Sequence, residues 1–580
     1  MTTISPTVSA PAETVPLATE EAAAPRLLLG IARVAPFAFW AVVCLGAFLS
    51  HPPTAPIELE ILASAWHMIR ADSWVPLLNG DVVATTPPLH YWLILLGWKA
   101  FGTIEIWPRL LSALAALATL LLIGRTARTL WPRRLTTPLF ARILLIGLGG
   151  YVITSTMILP ESLALPIVLV GFQAIAELRI NIGDPLRRLA LWALFGLALT
   201  TDLFLIGWTA LLLLPPVALL APQLHEGPND PAARPRGWRR WRWRATVLVL
   251  TALAGGLAWL WFRDAAGRPV NFFDFGTGWA KETSEATRHK SWTLILVPVM
   301  LYPWICWKTL WRALARQTRQ GYGFGFRLCL LFLAGAIAAG LASGVQLQGM
   351  LTIGTSLALL GARLLANQAI KPKDFHAVVP GFLALTLGLF FFLMNMIPTA
   401  HLDALWRQFF GAPLPIWLGG SGLASGIVLF AGGYVLAQLS PSHQLSRTLQ
   451  VACLSVLLIT CVNIEFVNSL GAFFNLKPTG DEMRALQEDG LEVAVYGPYR
   501  GEFDFYGQLG TAPKVLSSAA DAMAWAKAHP RGAIVTRFDG SALDLPALPY
   551  YRGVARDRWV AIWPTSAVVD TDGAVLADSF

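Results

Sequence analysis

Apolar runs long enough to cross a bilayer recur along this chain as far as residue 466, and no other feature constrains its fold as strongly. A spanning helix needs about 20 apolar residues, because lipid offers no partner for an open backbone N–H or C=O. Such stretches fall near 34–50, 109–124, 138–155, 162–178, 187–201, 203–221, 245–262, 291–307, 328–344, 350–368, 376–397, 414–438 and 449–466. They predict a polytopic α-helical membrane protein with about thirteen transmembrane helices. Residues 187–221 are open to two readings, two spans parted at Asp202 or one bent helix. Composition agrees: 14% of the 580 residues are charged and 55% hydrophobic, whereas soluble domains carry about 25% charge.

The formal charge of +9 raises nucleic acid as a partner, but the cations sit in short loops beside apolar runs. With the N-terminus cytoplasmic, one set of loops carries about 22 Lys and Arg, including Arg125, Arg187, Arg240 and Arg316, and the opposite set 9. That asymmetry obeys the positive-inside rule and excludes nucleic acid as a first reading. An odd number of spans then puts the C-terminal end outside. Residues 1–30 read as a disordered cytoplasmic tail; no cation precedes Arg26, so the first span lacks the charged leader of a signal peptide. The five cysteines lie in or beside apolar runs without a CxxC pair or a His at ligand spacing, which implies neither disulfides nor a metal site.

After residue 470 the pattern changes. Leu491–Tyr496, Gly532–Arg537 and Arg558–Trp563 read as strands and Ser518–Ala528 as a helix. Residues 470–580 therefore predict a small periplasmic α/β domain following a membrane domain at 31–469.

The loop at 51–107 is long and amphipathic, with candidate helices at 57–71 and 89–101 suited to lie in the membrane plane. Glu58 and Glu60 open the first, where carboxylates favour a helix N-terminus. Four pieces of this region stand in order: Pro56-Ile-Glu-Leu-Glu-Ile-Leu-Ala-Ser-Ala-Trp-His-Met68, Ser73-Trp-Val-Pro-Leu-Leu-Asn-Gly80, Pro87-Pro-Leu-His-Tyr-Trp92 and Trp107-Pro-Arg-Leu-Leu111. Their order and spacing resemble the first periplasmic loop of bacterial GT-C glycosyltransferases of the protein O-mannosyltransferase and aminoarabinose-transferase-like family. His289 followed by Pro303-Trp304, and Ala494-Val-Tyr-Gly497 followed by Phe505-Tyr506, resemble later parts of the same family.

The resemblance implies transfer of a sugar from a polyprenyl-phosphate carrier, undecaprenyl phosphate in bacteria, to an envelope lipid, glycan or protein acceptor at the periplasmic face of the inner membrane. It implies no nucleotide sugar, cofactor or divalent metal. It places Glu58, and next Glu60, as catalytic carboxylates, and His90 and Tyr91 on the cavity wall. Arg109, Arg263, Arg268 and Lys281 become candidates to hold the donor phosphate, with His289 also near substrate.

Several family positions are replaced. The Asp of the family's Asp-Glu pair falls on Ile57, a Lys on Thr86, an acidic residue on Pro160 with Glu161 beside it, and a second Lys on Thr201 or Asp202. A hydroxyl acceptor needs a general base, for which Glu58 is the nearest carboxylate; a phosphate acceptor would need none. These replacements support a second expectation, a degenerate relative that binds lipid carrier or a partner without transfer. A secondary transporter, suggested only by span number, predicts internal repeats that the sequence does not display.

Overall fold

The computed structural model describes residues 25–576 except 51–52, 54–56, 80, 84–85, 181–183, 225–236, 268–270, 276–296, 321, 344–345, 367–376, 411–421, 539–546 and 556–557. Lys281, His289, Arg268 and most of the N-terminal tail lie outside the described residues. In chain order the first helices are α1 (Arg26–Ser50), α2 (Ile57–Arg70), α3 (Leu89–Phe101), α4 (Ile106–Leu130), α5 (Thr137–Ile146), α6 (Gly149–Thr154), α7 (Pro160–Ile180), α8 (Pro185–Ile206), α9 (Ala210–Leu213), α10 (Pro215–Leu220) and α11 (Gly237–Ala266). Among the described residues eight helices are long and apolar enough to span a membrane, and three shorter apolar helices, Thr137–Ile146, Met350–Leu365 and Leu423–Gln438, complete the bundle. The molecule is a multi-pass membrane protein.

The apolar run Pro185–Gln223 is 39 residues long; as one helix it would reach about 58 Å, roughly twice the hydrocarbon thickness. It is divided instead. Asp184 caps α8 by accepting from the Leu186 N–H at 3.0 Å, with Pro185 in the first turn. Gly207, at φ +69, ends the helix. The chain then returns through α9 and α10 until the Leu224 carbonyl accepts from Arg179 Nη2 at 3.1 Å, beside the end of α7. The run therefore doubles back on itself after α8 instead of continuing as one helix.

Helices α2 and α3 are 14 and 13 residues long, too short to span. Both lie at the end of the bundle where α4 and α7 begin. A two-stranded ribbon, β1 (Leu77–Leu78) and β2 (Asp81–Val82), follows α2. The C-terminal region forms a five-stranded sheet of β3 (Val493–Tyr496), β4 (Lys514–Leu516), β5 (Ala533–Phe538), β6 (Tyr551–Ala555) and β7 (Arg558–Pro564). Its order is β4-β3-β5-β7-β6, with β3 parallel to both neighbours and β7 antiparallel to both of its own.

Alternation along these strands sends side chains to two different cores. Ala494, Tyr496, Ile534 and Trp563 face the helix Ala519–Ala528. Val493, Val495, Val535 and Ile562 face the other way and form one buried cluster with Leu59, Leu62, Trp66, Tyr91, Ile94 and Trp98 of α2 and α3. The loop helices are thus sandwiched between the bundle and the sheet.

Candidate active site

Eleven successive residues of α2, Glu58 to Met68, are buried, so its carboxylates must find partners inside the protein. Glu58 is fully buried, and its Oε1 accepts from the backbone N–H of Ile158 at 2.7 Å, in the turn that precedes α7. Glu60 Oε1 pairs with Arg500 Nη2 at 2.7 Å. Arg500 belongs to the loop after β3, where its own N–H donates to Glu502 Oε2 at 3.0 Å. Glu502 in turn pairs with Arg537 at 3.2 Å.

The other end of α2 is fixed to the same loop. His67 Nε2 lies 2.8 Å from Asp504 Oδ2, and the Tyr499 hydroxyl donates to the second oxygen of that carboxylate. The indole of Trp66 donates to the Leu509 carbonyl at 3.0 Å, and Asn79 Nδ2 to that of Tyr499 at 2.9 Å. From α3, Trp98 stacks on Phe505 with ring centroids 5.3 Å apart. Gly501, at φ +76, occupies the closest approach: a Cβ there would stand 2.5 Å from that of Ala63.

Tyr91 is buried on α3. Burial, followed by the Glu60 carboxylate, pushes its phenol well above the ordinary range, with Glu161 adding and Arg500 opposing. Tyr506 is raised in the same way, by burial and then by Glu105, with Glu58 adding and Arg109 opposing. Both phenols therefore stay protonated and can donate. His90 is fully buried, and neither ring nitrogen has a hydrogen-bond partner among the described residues. Burial lowers its pKa to about 3, so it is a neutral imidazole and supplies no cation to a phosphate.

Arg109 opens α4 and is buried. Its guanidinium lies over the Phe48 ring at 5.4 Å, and Nη2 donates to the Ala47 carbonyl at 3.3 Å, a cation at the C-terminal end of α1. The structure thus gathers Glu58, Glu60, His90, Tyr91 and Arg109 where α2, α3 and α4 meet. Arg263 stands apart: it is exposed and lies over Trp259 at 5.4 Å. Its neighbour Trp261 packs on Trp92 at 6.0 Å, which brings the end of α11 to the edge of α3.

Glu161, Arg500 and Tyr506 join the site without having been singled out as site residues. Glu161 lies in the first turn of α7, and its Oε2 has no hydrogen-bond partner among the described residues. Its signal was its place beside Pro160. Arg500 gave no local signal, since its partner lies 440 residues away. At the replaced positions, the Thr201 hydroxyl bonds back to the Leu197 carbonyl at 2.8 Å, and Asp202 is fully buried. Among the described residues no group of three His, Cys, Asp or Glu is placed to hold a metal.

No family model matches the sequence, and no curated protein matches it. Solved structures do. ArnT from Cupriavidus metallidurans bound to undecaprenyl phosphate superposes with a TM-score of 0.63 at 16% identity, over 93% of this chain and 98% of that one. Its apo state gives 0.65 at 15% identity, over 94% and 98%. The archaeal oligosaccharyltransferase AglB from Archaeoglobus fulgidus, in complex with an inhibitory peptide and a dolichol-phosphate, gives 0.51 at 10% identity, over 88% and 69%. At these identities the likeness is one of fold.

Proposed function

We propose that this chain, a polytopic membrane protein with the GT-C fold, transfers a sugar from a polyprenyl-phosphate carrier to an envelope lipid, glycan or protein acceptor. One observation carries the reading: Glu58, Glu60 and Glu161 converge with Arg109, Arg500 and two protonated phenols at the end of the bundle beneath the C-terminal sheet. ArnT, whose backbone this chain shares, has been seen with undecaprenyl phosphate bound. The membrane would be the bacterial inner membrane, with the N-terminus cytoplasmic and a periplasmic domain at 470–580.

In the proposed reaction the acceptor attacks the anomeric carbon of the donor sugar. The carbon–oxygen bond to the carrier phosphate breaks, and the polyprenyl phosphate departs with the electron pair. Glu58 takes or orients the proton of a hydroxyl acceptor, with Glu60 next to it. Arg109, Arg263, Arg268 and Lys281 are proposed for the donor phosphate, whose growing charge needs fixed cations, His289 for contact with substrate, and His90 and Tyr91 for the cavity wall. Mass spectrometry of envelope glycolipids and glycoproteins, with and without the gene, tests this. One species should lose a single sugar mass when the gene is removed.

A second reading, carrier binding without transfer, is favoured by the engagement of Glu58 and Glu60 with Ile158 and Arg500. It predicts identical envelope profiles with and without the gene.

A further inference from the structure

A second cluster lies where α1, α4 and α5 meet, toward the end of α4 farthest from α3. Arg142 stands in the middle of α5 and is half-buried. Three neighbours fix its guanidinium. Nε donates to the Leu120 carbonyl of α4 at 3.2 Å, and the group lies over the Phe37 ring of α1 at 5.4 Å. Gly124 leaves the room for it, since a Cβ there would collide with Nε and Cζ. Among the described residues, Nη1 and Nη2 have no acceptor.

The charges around it are of like sign. Arg128 lies one turn beyond Gly124 on the same face of α4, close enough for its charge to act on Arg142. Arg33 lies one turn before Phe37 on α1, and both Arg33 and Arg128 are exposed. Residues 26–50 and 106–160 contain no Asp or Glu, so none of the three helices supplies a counter-charge. The nearest carboxylates after them in the chain are engaged elsewhere. Glu161 is at the other end of the bundle, Glu177 accepts from Gln173 at 2.9 Å and from Arg187 at 3.0 Å, and Asp184 caps α8. A cation pinned inside an apolar span beside other cations calls for an anion.

The position says which anion. Gly124 belongs to the apolar span Ile106–Leu130, six residues or about 9 Å before its end. Val34 and Leu121, three residues before Phe37 and Gly124, are 64% and 49% exposed. Apolar side chains thus flank the cations on the outer surface of the bundle, where lipid chains lie. A free ion would gain nothing from them, whereas a phospholipid can lay its chains there and its phosphate on the guanidinium. The planar N–H groups of arginine match phosphate oxygens in pairs. A zwitterionic headgroup would bring its own ammonium into the cluster.

We propose that Arg142, with Arg128 and Arg33, binds the phosphate of an anionic membrane phospholipid, in the leaflet opposite the candidate active site. The site is separate from the proposed carrier site and does not depend on the transfer reaction.

The test is native mass spectrometry of the full-length protein in detergent, titrated with dioleoyl phosphatidylglycerol or dioleoyl phosphatidylcholine. Wild-type protein should retain the glycerol lipid about tenfold better, since each basic group near a headgroup adds to anionic-lipid affinity. Arg128→Gln with Arg142→Gln should bring the two lipids near parity. Arg133→Gln with Arg134→Gln, which removes as much charge from the neighbouring loop, should leave the preference in place. Gly124→Ala keeps every charge but takes the room of the guanidinium, and should lower the preference as the first pair does. Equal retention of the two lipids by wild-type protein would overturn the proposal, as would an undiminished preference in the Arg128 and Arg142 variant. An equal loss in the loop variant would reduce the effect to surface charge and also overturn it. Displacement of phosphatidylglycerol by an equal concentration of inorganic phosphate would assign the site to a free ion instead.

Discussion

Glu60 and Arg500 stand 440 residues apart in sequence and 2.7 Å apart in space. Their side chains retain only 11% and 23% exposure, so removing one partner strands a charge in a poorly hydrated place. Arg500→Met should cost about 3 kcal/mol, the low end for a broken buried pair because some solvent contact remains. In a double-mutant cycle by thermal unfolding, Glu60→Gln should add little once Arg500 is gone; fully additive losses would show that the pair is not coupled.

His90 gives a pH prediction. Its folded-state pKa of about 3 lies below its unfolded value, so its contribution is complete above about pH 6.5 and fades as pH falls toward 3. His90→Phe should lower the sensitivity of thermal stability between pH 7 and pH 5 by about 2 kcal/mol; equal pH slopes would refute it. Glu58 and Glu60 were legible because they open an amphipathic helix. Arg500 and Asp504 were not, since a pairing across the whole chain leaves no local spacing to read.

The element scale is set by α2, which is clamped between the turn before α7 and the loop that follows β3. The clamp depends on backbone proximity at Gly501. Gly501→Ala adds a methyl 2.5 Å from Ala63 as well as strain at φ +76, and should cost about 3 kcal/mol. Gly490→Ala is the control, with φ +79 but open space around it, and should cost about 1 kcal/mol. The comparison reads out as protease sensitivity of the C-terminal region, and similar sensitivities would remove the close packing of α2 from the account. The helices at 57–71 and 89–101 were legible from periodicity and are seen at Ile57–Arg70 and Leu89–Phe101. Strand β4 was not, because three residues, Lys514–Leu516, are too few to show an alternation.

For the whole molecule, the apolar runs were enough to predict a polytopic helical protein, and the GT-C likeness spans 93% of the chain. The sequence could not show that α2, α3 and one face of the C-terminal sheet share a single core. That core arises from residues such as Leu59 and Val535, each of which reads locally as the apolar side of its own element. The replaced positions Ile57, Thr86, Pro160 and Thr201 look like losses in a linear reading. In space Glu161 lies in the turn that follows Pro160, and Arg500 arrives from the distant sheet to face Glu60.

The central claim is that this convergence performs sugar transfer. The measurement that bears on it most directly is turnover of polyprenyl-phosphate-linked sugar by the purified protein in proteoliposomes, with wild type and Glu58→Gln in parallel. With a hydroxyl acceptor, the account predicts turnover by wild type and a kcat lower by about 100-fold or more in the variant, at similar KM. Wild-type turnover in Glu58→Gln would contradict the role given to Glu58, and absence of turnover with any matched donor would contradict the claim of transfer itself.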